Sequence, residues 1–476
     1  MKNLSPSDHA QKIFRLRSLN SHSVGKDNYE RIVDEYFIKK CPKSKALHSE
    51  SRLYIPGGTD HAGITGPFPL YFAQSDGAHL TDVDGNVYID LFNAGGASVL
   101  GVGTSEMKSA LLSATEELGA MDSLPNEYEI ALARALNGSM PYVEALSLMS
   151  SREDSYNTAI DLARTVTGKK RTVVISSPLL SPIGDFVTRD NGRAATDYVS
   201  SDLKEIERLL RLNRMRGGTA AVIVEPLGIG SGMIPADEDF LPSLAVLVRK
   251  YGAAFIADES VSAYRIAPGG ACGTLLADYD YLTVDGRNMY PDLVLLGQSL
   301  STGYVPFFAL GGKKDFMQRI SGASERNASF LSSILAYRTI KSIESSSAIT
   351  VASELGDRLT AGLVKLIDKY DLPFLAYNVG PIVHLETEGL SSYTYSRRNP
   401  LEKLYDRFSG EKKKRTNRIL HTRYMNASFI SSGIITAGGA TMYLTASHTP
   451  SDVDRAVKAF DRAFKLVFDT GSYKNS

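Results

Sequence analysis

Three apolar runs in the middle of the chain end in polar side chains that could do chemistry. Glu225 ends the run AAVIVE, Asp258 ends AAFIAD, and Gln298 follows PDLVLLG. Each run is typical of a buried strand, and open α/β sheets present functional groups at the ends of such strands. Carboxylates at these positions suit general acid or base catalysis. Gln298 differs, because an amide neither forms an imine nor carries a proton as an amine does.

Strands and helices alternate from about residue 100 to residue 345. Amphipathic segments such as SEMKSALLSATEEL separate short apolar strands. This alternation predicts a mostly parallel sheet covered by helices on both faces, which is a doubly wound α/β domain. Upstream, the turn residues DGN between HLTDV and VYIDL predict a hairpin. The run GEKKKRTNR at 410–418 is interpreted as a solvated loop.

Composition sets the broad class of protein. A chain of 476 residues with 43% hydrophobic and 22% charged residues favours a soluble protein with two packed regions. The formal net charge is zero and no long apolar run occurs, so we expect neither nucleic acid nor a membrane as partner. Cys41 and Cys272 are interpreted as reduced thiols, and the N-terminus lacks an apolar signal region, so we expect a cytoplasmic protein.

Three segments carry a resemblance to a known family. The PGG at 56–58, the segment GAHLTDVDGNVYID and the segment PDLVLLGQSLSTG resemble class-III aminotransferases, which are pyridoxal phosphate (PLP) enzymes of fold type I. Within that family the first two segments point to the glutamate-1-semialdehyde aminomutase branch. The resemblance implies a two-fold dimer and a chain divided into an N-terminal arm (1–50), a small domain in two parts (51–95 and 346–476) and a large domain (96–345).

Several matched positions keep the residue that the family has. Asp258 stands where the family places the carboxylate that pairs with the pyridine nitrogen of the cofactor. Glu225, Glu259 and Arg265 also match. Ser329 stands where a threonine reaches the cofactor phosphate from the partner subunit, and it keeps a hydroxyl.

Other matched positions have lost what PLP needs. Gln298 stands where the family has the lysine that holds the cofactor as a Schiff base. The turn that cradles the phosphate reads Ser151, Arg152 and Glu153, so a side chain and a negative charge replace a bare backbone. The stacking aromatic aligns with Leu179, which offers no π-face. Because these three sites share only the cofactor, their joint change predicts that none is bound, although Arg152 could still bind a phosphate.

The loop after PGG also differs from the aminomutase branch. Ile64 stands where an arginine of that branch reaches the substrate carboxylate. Asp60 and His61 are new polar groups there, and His61 is either a general acid or base near neutral pH or a surface residue. The other predicted substrate contacts are Arg152, Tyr264, Arg265 and Tyr304.

Three functions are compatible with this pattern. The prediction is a PLP-independent enzyme that uses the old cavity for acid/base chemistry on a small metabolite: a cyclisation, dehydration or isomerisation. Asp258, Glu225 and His61 would then be catalytic, with Gln298 as a hydrogen-bonding amide. One alternative is a non-catalytic pseudoenzyme subunit, in a homodimer or in a heterodimer with an intact paralogue. The other is a relative that still binds PLP or pyridoxamine phosphate without a covalent bond.

Overall fold

The fold is described from a computed structural model of the whole chain. The structure describes residues 23–59, 66–119, 124–175, 196–199, 201–229, 239–279, 282–284, 286–320, 329–387, 411–438 and 441–470. By its internal contacts the chain divides into two units. One contains Met1–Gly95, Leu100–Thr104 and Thr350–Ser476, and the other contains Gly96–Val99 and Ser105–Ile349. The second unit covers nearly the same residues as the predicted large domain.

The helices and strands have the following bounds. The helices are α1 (Lys26–Ile32), α2 (Pro42–Ser51), α3 (Ser105–Leu118), α4 (Glu127–Ser139), α5 (Arg152–Thr167), α6 (Leu203–Arg214), α7 (Phe240–Lys250), α8 (Gly270–Leu275), α9 (Lys314–Met317), α10 (Phe330–Glu344), α11 (Ala348–Lys369), α12 (Glu411–Ser431) and α13 (Pro450–Thr470). The strands are β1 (Phe72–Asp76), β2 (His79–Asp82), β3 (Val87–Asp90), β4 (Ala145–Leu148), β5 (Arg171–Ile175), β6 (Thr196–Val199), β7 (Thr219–Val224), β8 (Ala254–Asp258), β9 (Thr283–Val284), β10 (Arg287–Asn288), β11 (Leu293–Leu296), β12 (Ala309–Gly312), β13 (Leu375–Val379), β14 (Ile382–Glu386), β15 (Ile434–Ile435) and β16 (Thr441–Tyr443).

A seven-stranded sheet forms the centre of the second unit. Its strand order is β4-β12-β11-β8-β7-β5-β6. The five strands from β11 to β6 are parallel, whereas β12 runs antiparallel between β4 and β11. Every residue of β7, β8 and β11 is buried. Burial on both faces explains why these strands are continuous apolar runs in the sequence, and the predicted α/β architecture is confirmed.

The register of the parallel strands brings the carboxyl ends of β7, β8 and β11 to one edge of the sheet. Leu295 of β11 lies opposite Asp258 of β8, and Ala257 lies opposite Val224 of β7. Because parallel strands end on the same side, Glu225, Asp258 and the turn after β11 leave the sheet together.

The other unit contains two smaller sheets, ordered β1-β2-β3-β15 and β13-β14-β16. The predicted hairpin is present, with β2 antiparallel to β3. The prediction of a solvated loop at 410–418 is wrong, because α12 begins at Glu411. Lysine, arginine and glutamate are good helix formers, so a charged run of this kind is compatible with the start of a helix.

No helix in the described part of the chain is long and apolar enough to cross a membrane.

Candidate functional site

Asp258 is the centre of the candidate site. It is the last residue of β8 and is 1% exposed. Its Oδ1 accepts a hydrogen bond of 2.9 Å from the backbone amide of Ser260. Its Oδ2 accepts from Nη2 of Arg152 at 2.6 Å and from the hydroxyl of Tyr156. A buried carboxylate is therefore held by one cation and two neutral donors.

The start of α5 delivers both of these side chains. Ser151 caps the helix, and its hydroxyl accepts the amide of Asp154 at 3.0 Å. Arg152 and Tyr156 are four residues apart, so they lie on the same face of the helix. The guanidinium carbon of Arg152 lies 5.9 Å from the centre of the Tyr156 ring. The predicted phosphate turn is thus a helix start whose first side chain reaches the Asp258 carboxylate.

This arrangement keeps Asp258 ionised. Burial alone would raise its pKa, because a charge is costly away from water. The Arg152 guanidinium and the hydrogen bonds from Ser260 and Tyr156 outweigh burial and hold the pKa of Asp258 below its usual value. Burial and the Asp258 carboxylate raise the pKa of the Tyr156 hydroxyl well above its usual range. The site therefore presents a stable anion and a neutral phenol.

Gln298 lies in a turn that packs against the segment after Asp258. The amide of Ser299 donates to the carbonyl of Ser260 at 2.8 Å, which ties the turn after β11 to the end of β8. A Cβ on Gly297 would lie 3.2 Å from the Cβ of Ser260, so glycine permits this close approach. Gln298 follows immediately and is half-buried. Its correspondence to the lysine of the family stays a prediction.

The two glutamates that matched the family have different surroundings. Glu225 follows β7, is half-buried and adds negative charge near Arg152. Glu259 is completely buried, and its carboxylate accepts the amides of Ala271 at 2.9 Å and Cys272 at 2.6 Å. Burial raises the pKa of Glu259. Glu259 therefore accepts hydrogen bonds from the start of α8. Glu225 instead lies near Arg152, the cation that pairs with Asp258.

The predicted substrate contacts are spread over several environments. Arg265 is completely buried. Tyr264 is also buried, has a positive φ of 55°, and lies with its hydroxyl 2.6 Å from the hydroxyl of Ser139. Burial raises the pKa of Tyr264 to about 12. Tyr304 is 37% exposed, and Ser329 lies immediately before α10. Their proposed contacts with ligands stay predictions.

Four residues of the sequence analysis lie outside the described residues: Asp60, His61, Ile64 and Leu179. Tyr156 was missed by the sequence analysis, although its hydroxyl is bonded to Asp258. Its spacing of four residues from Arg152 in a predicted helix was the available signal.

His384, which the sequence places in a strand, is 3% exposed in β14. Its ring nitrogens lie 3.2 Å from Oγ1 of Thr441 and 3.4 Å from a carboxylate oxygen of Glu386. Both ring nitrogens of this buried histidine therefore have polar partners in the core.

The sequence is similar to class-III aminotransferases. The sequence model of the class-III aminotransferase family matches residues 183–396. The glutamate-1-semialdehyde 2,1-aminomutase of Chloroflexus aggregans is 27% identical over 461 residues, which cover 90% of this chain and 98% of that protein. The resemblance to this family and to its aminomutase branch is confirmed.

Solved structures show the same fold. A glutamate-1-semialdehyde aminomutase from Pseudomonas aeruginosa has a TM-score of 0.74 at 17% identity and covers 95% of this chain and 99% of its own. The FumI protein of Sphingopyxis has a TM-score of 0.71 at 22% identity and covers 90% of this chain and 98% of its own. The fold type I architecture is confirmed.

The prediction that no cofactor is bound is wrong, because proteins with this fold contain PLP. The FumI structure is an internal aldimine form with PLP, and a transaminase with a TM-score of 0.72 to this chain contains bound PLP. These relatives point to PLP and not to a cofactor-free site. The expectation of a cofactor-free site came from three changed positions, Gln298, Arg152 and Leu179, and the relatives outweigh it.

Proposed function

We propose that this chain, which resembles class-III aminotransferases in sequence and shares their fold, binds pyridoxamine phosphate without a covalent bond and acts on a small metabolite. Asp258 carries the proposal. It is a buried carboxylate at the end of a central strand, and its neighbours keep it ionised. A lysine-to-alanine variant of the Pseudomonas aeruginosa aminomutase is described in complex with pyridoxamine phosphate. That complex supports the idea that a chain of this fold holds the amine form without a lysine.

The residues of the site fit the amine form of the cofactor better than a lysine-bound form. An ionised carboxylate accepts a hydrogen bond from a protonated ring nitrogen, and Asp258 supplies one. Gln298 has an amide, which hydrogen-bonds but forms no imine. Arg152 supplies the only cation that is in contact with Asp258 among the described residues. A ligand with both a cationic nitrogen and an anionic group therefore matches the charges present.

The roles of the chain's own residues follow from their positions. When bound, pyridoxamine phosphate supplies an amino group and an electron-accepting ring. Asp258 would keep a proton on the ring nitrogen, and Tyr156 and Ser260 fix the orientation of that carboxylate. Gln298 would orient ligand groups at the same edge of the sheet through its amide. Glu225 is the described carboxylate best placed to exchange a proton with a substrate.

Binding and trapping experiments test this function. Purified chain freed of ligand should bind about one equivalent of pyridoxamine phosphate, with absorbance in the region of roughly 320–430 nm. PLP followed by borohydride should fix one more adduct to the Gln298→Lys variant than to the wild type, because only the variant has an amine there. Failure of pyridoxamine phosphate to bind at millimolar concentration would overturn the proposal.

We also infer a two-fold dimer, with Ser329 near the interface. Obligate interfaces of this kind bury more than about 2,000 Å². A homodimer should give twice the chain mass of 51.7 kDa in light scattering. A stable monomer at micromolar concentration would contradict this assembly but would leave the binding proposal intact.

A further inference from the structure

The pair formed by Arg152 and Asp258 is asymmetric in its access to solvent. The Asp258 side chain is 1% exposed, whereas that of Arg152 is 24% exposed. Asp258 is fixed at the end of a strand in the middle of the sheet. Arg152 is the first residue of a helix, and its long side chain reaches from the helix start to the carboxylate. The cation is therefore the more accessible member of the pair and belongs to a helix start, whereas the anion belongs to a central strand.

Neither member of this pair is stable alone in its present position. A buried charge that loses its partner is strongly disfavoured, because it has given up water without compensation. A small cation that displaced Arg152 would leave a guanidinium in a partly buried place. A small anion that bound Arg152 would leave Asp258 without its cation. A ligand cation at Asp258 is therefore unfavourable unless Arg152 gains an anion at the same time. A ligand anion at Arg152 is likewise unfavourable unless Asp258 gains another cation.

The start of α5 adds a second constraint on anions. Glu153 and Asp154 follow Arg152 directly and lie in the first turn of the helix. These carboxylates oppose a negative ligand, and Glu225 adds further negative charge near Arg152. An anion at this helix start therefore depends on Arg152 to offset the acidic residues.

We propose that Arg152 exchanges partners when a ligand binds. In the resting chain it neutralises Asp258. A ligand whose protonated ring nitrogen takes over Asp258 releases Arg152, which then pairs with the phosphate of the same ligand. This inference rests on the proposed function and deepens it, because it makes the site selective for molecules that carry both charges.

The wild-type protein alone distinguishes this exchange from simple anion binding. We would measure calorimetric titrations with pyridoxamine phosphate, pyridoxamine and inorganic phosphate. The expected order is clear binding of pyridoxamine phosphate, binding of pyridoxamine weaker by about 10- to 100-fold, and no binding of inorganic phosphate at millimolar concentration. Inorganic phosphate that binds as well as pyridoxamine phosphate would overturn the exchange.

The variant Arg152→Met sharpens the test, since it keeps an unbranched apolar stem and removes the charge. It should bind pyridoxamine phosphate about 10- to 100-fold more weakly than wild type does. It should bind pyridoxamine at least as well as wild type, because no guanidinium competes for Asp258. Arg171→Met is the matched control, because Arg171 pairs with Asp197 at 2.7 Å at the other end of the parallel strands. It should leave all three affinities unchanged.

The outcomes separate the two proposals. If pyridoxamine phosphate binds neither wild type nor variant, the proposed function fails. If it binds both equally well, the function stands and the exchange fails. Circular dichroism of each variant shows whether it folds, and the wild-type titrations decide the question if Arg152→Met does not fold.

Discussion

Two arginine–aspartate pairs lie at opposite ends of neighbouring strands in the seven-stranded sheet. Arg249 pairs with Asp292, the residue before β11, and both side chains are 0% exposed. Arg152 pairs with Asp258, the last residue of β8, and its side chain is 24% exposed. The two pairs join the same two side-chain types and differ in how far each is enclosed by the protein.

The enclosed pair is held by backbone groups and by a second cation. Nε of Arg249 donates to the carbonyl of Asn288 at 2.9 Å. Asp292 accepts the amide of Phe255 at 2.8 Å and lies 3.2 Å from Nζ of Lys313. Such a pair joins β8, β11 and α7 and cannot exchange partners without opening the fold. The pair at the carboxyl ends joins one sheet strand to one helix start.

The largest expected effect is on the enclosed pair. Arg249→Met should lower the free energy of unfolding by about 3–5 kcal/mol, because it leaves Asp292 buried with too little positive charge. Chemical denaturation monitored by circular dichroism measures this. Arg164→Met is the control, because Arg164 pairs with the 75% exposed Asp161. It should cost no more than about 1 kcal/mol.

The open pair should tolerate the same change better. Arg152→Met should lower the free energy of unfolding by about 1–3 kcal/mol at neutral pH. Asp258 can take up a proton in the variant, and the place of the Arg152 side chain is itself partly exposed. A loss of unfolding free energy equal to that of Arg249→Met would contradict this difference, since the two pairs would then contribute equally to stability.

The pH dependence of that loss gives a finer test. In the wild type the pKa of Asp258 is depressed, so its contribution is present above the unfolded value of about 4 and disappears as the pH falls through the folded pKa. In Arg152→Met, burial without a cation should raise the pKa of Asp258. The stability difference between wild type and variant should therefore be largest at neutral pH and shrink below about pH 4. A difference that is constant from pH 3 to pH 7, in denaturation curves measured across that range, would contradict the assigned ionisation.

The sequence predicts the sheet better than it predicts the site. Continuous apolar runs such as that of β7 are set by burial on both faces, which is a local signal. The pairing of Arg152 with Asp258 joins residues 106 positions apart and depends on how a helix start lies against a strand end. Spacing along the chain does not show which arginine of the matched segments, Arg152 or Arg265, reaches Asp258. Tyr156 was missed because its spacing of four residues from Arg152 shows only that the two share a helix face, not that the hydroxyl bonds a carboxylate.

A last contrast concerns a buried carboxylate that accepts hydrogen bonds from backbone amides and, among the described residues, forms no ion pair with an arginine. Asp90 at the end of β3 is 2% exposed and accepts the amides of Phe92 at 3.0 Å and Asn93 at 2.8 Å. Burial outweighs these hydrogen bonds and raises the pKa of Asp90 to about 6. The direction is opposite to that of Asp258, where Arg152 is present, so Asp90 isolates the effect of the cation.

Asp90→Asn keeps the accepting oxygen and removes the charge. Because the folded state holds the proton of Asp90 more tightly than the unfolded state does, wild-type stability should fall as the pH rises from about 4 to about 6. The variant should lack this fall, which amounts to roughly 3 kcal/mol at pH 7 for a pKa raised from 3.8 to about 6. Asp27→Asn, at an exposed position of α1, controls for the change in net charge and should leave the fall in place. If the wild type and Asp90→Asn show the same pH dependence, burial does not raise the pKa of Asp90. Asp90 then cannot show what the pKa of a buried carboxylate is without an arginine.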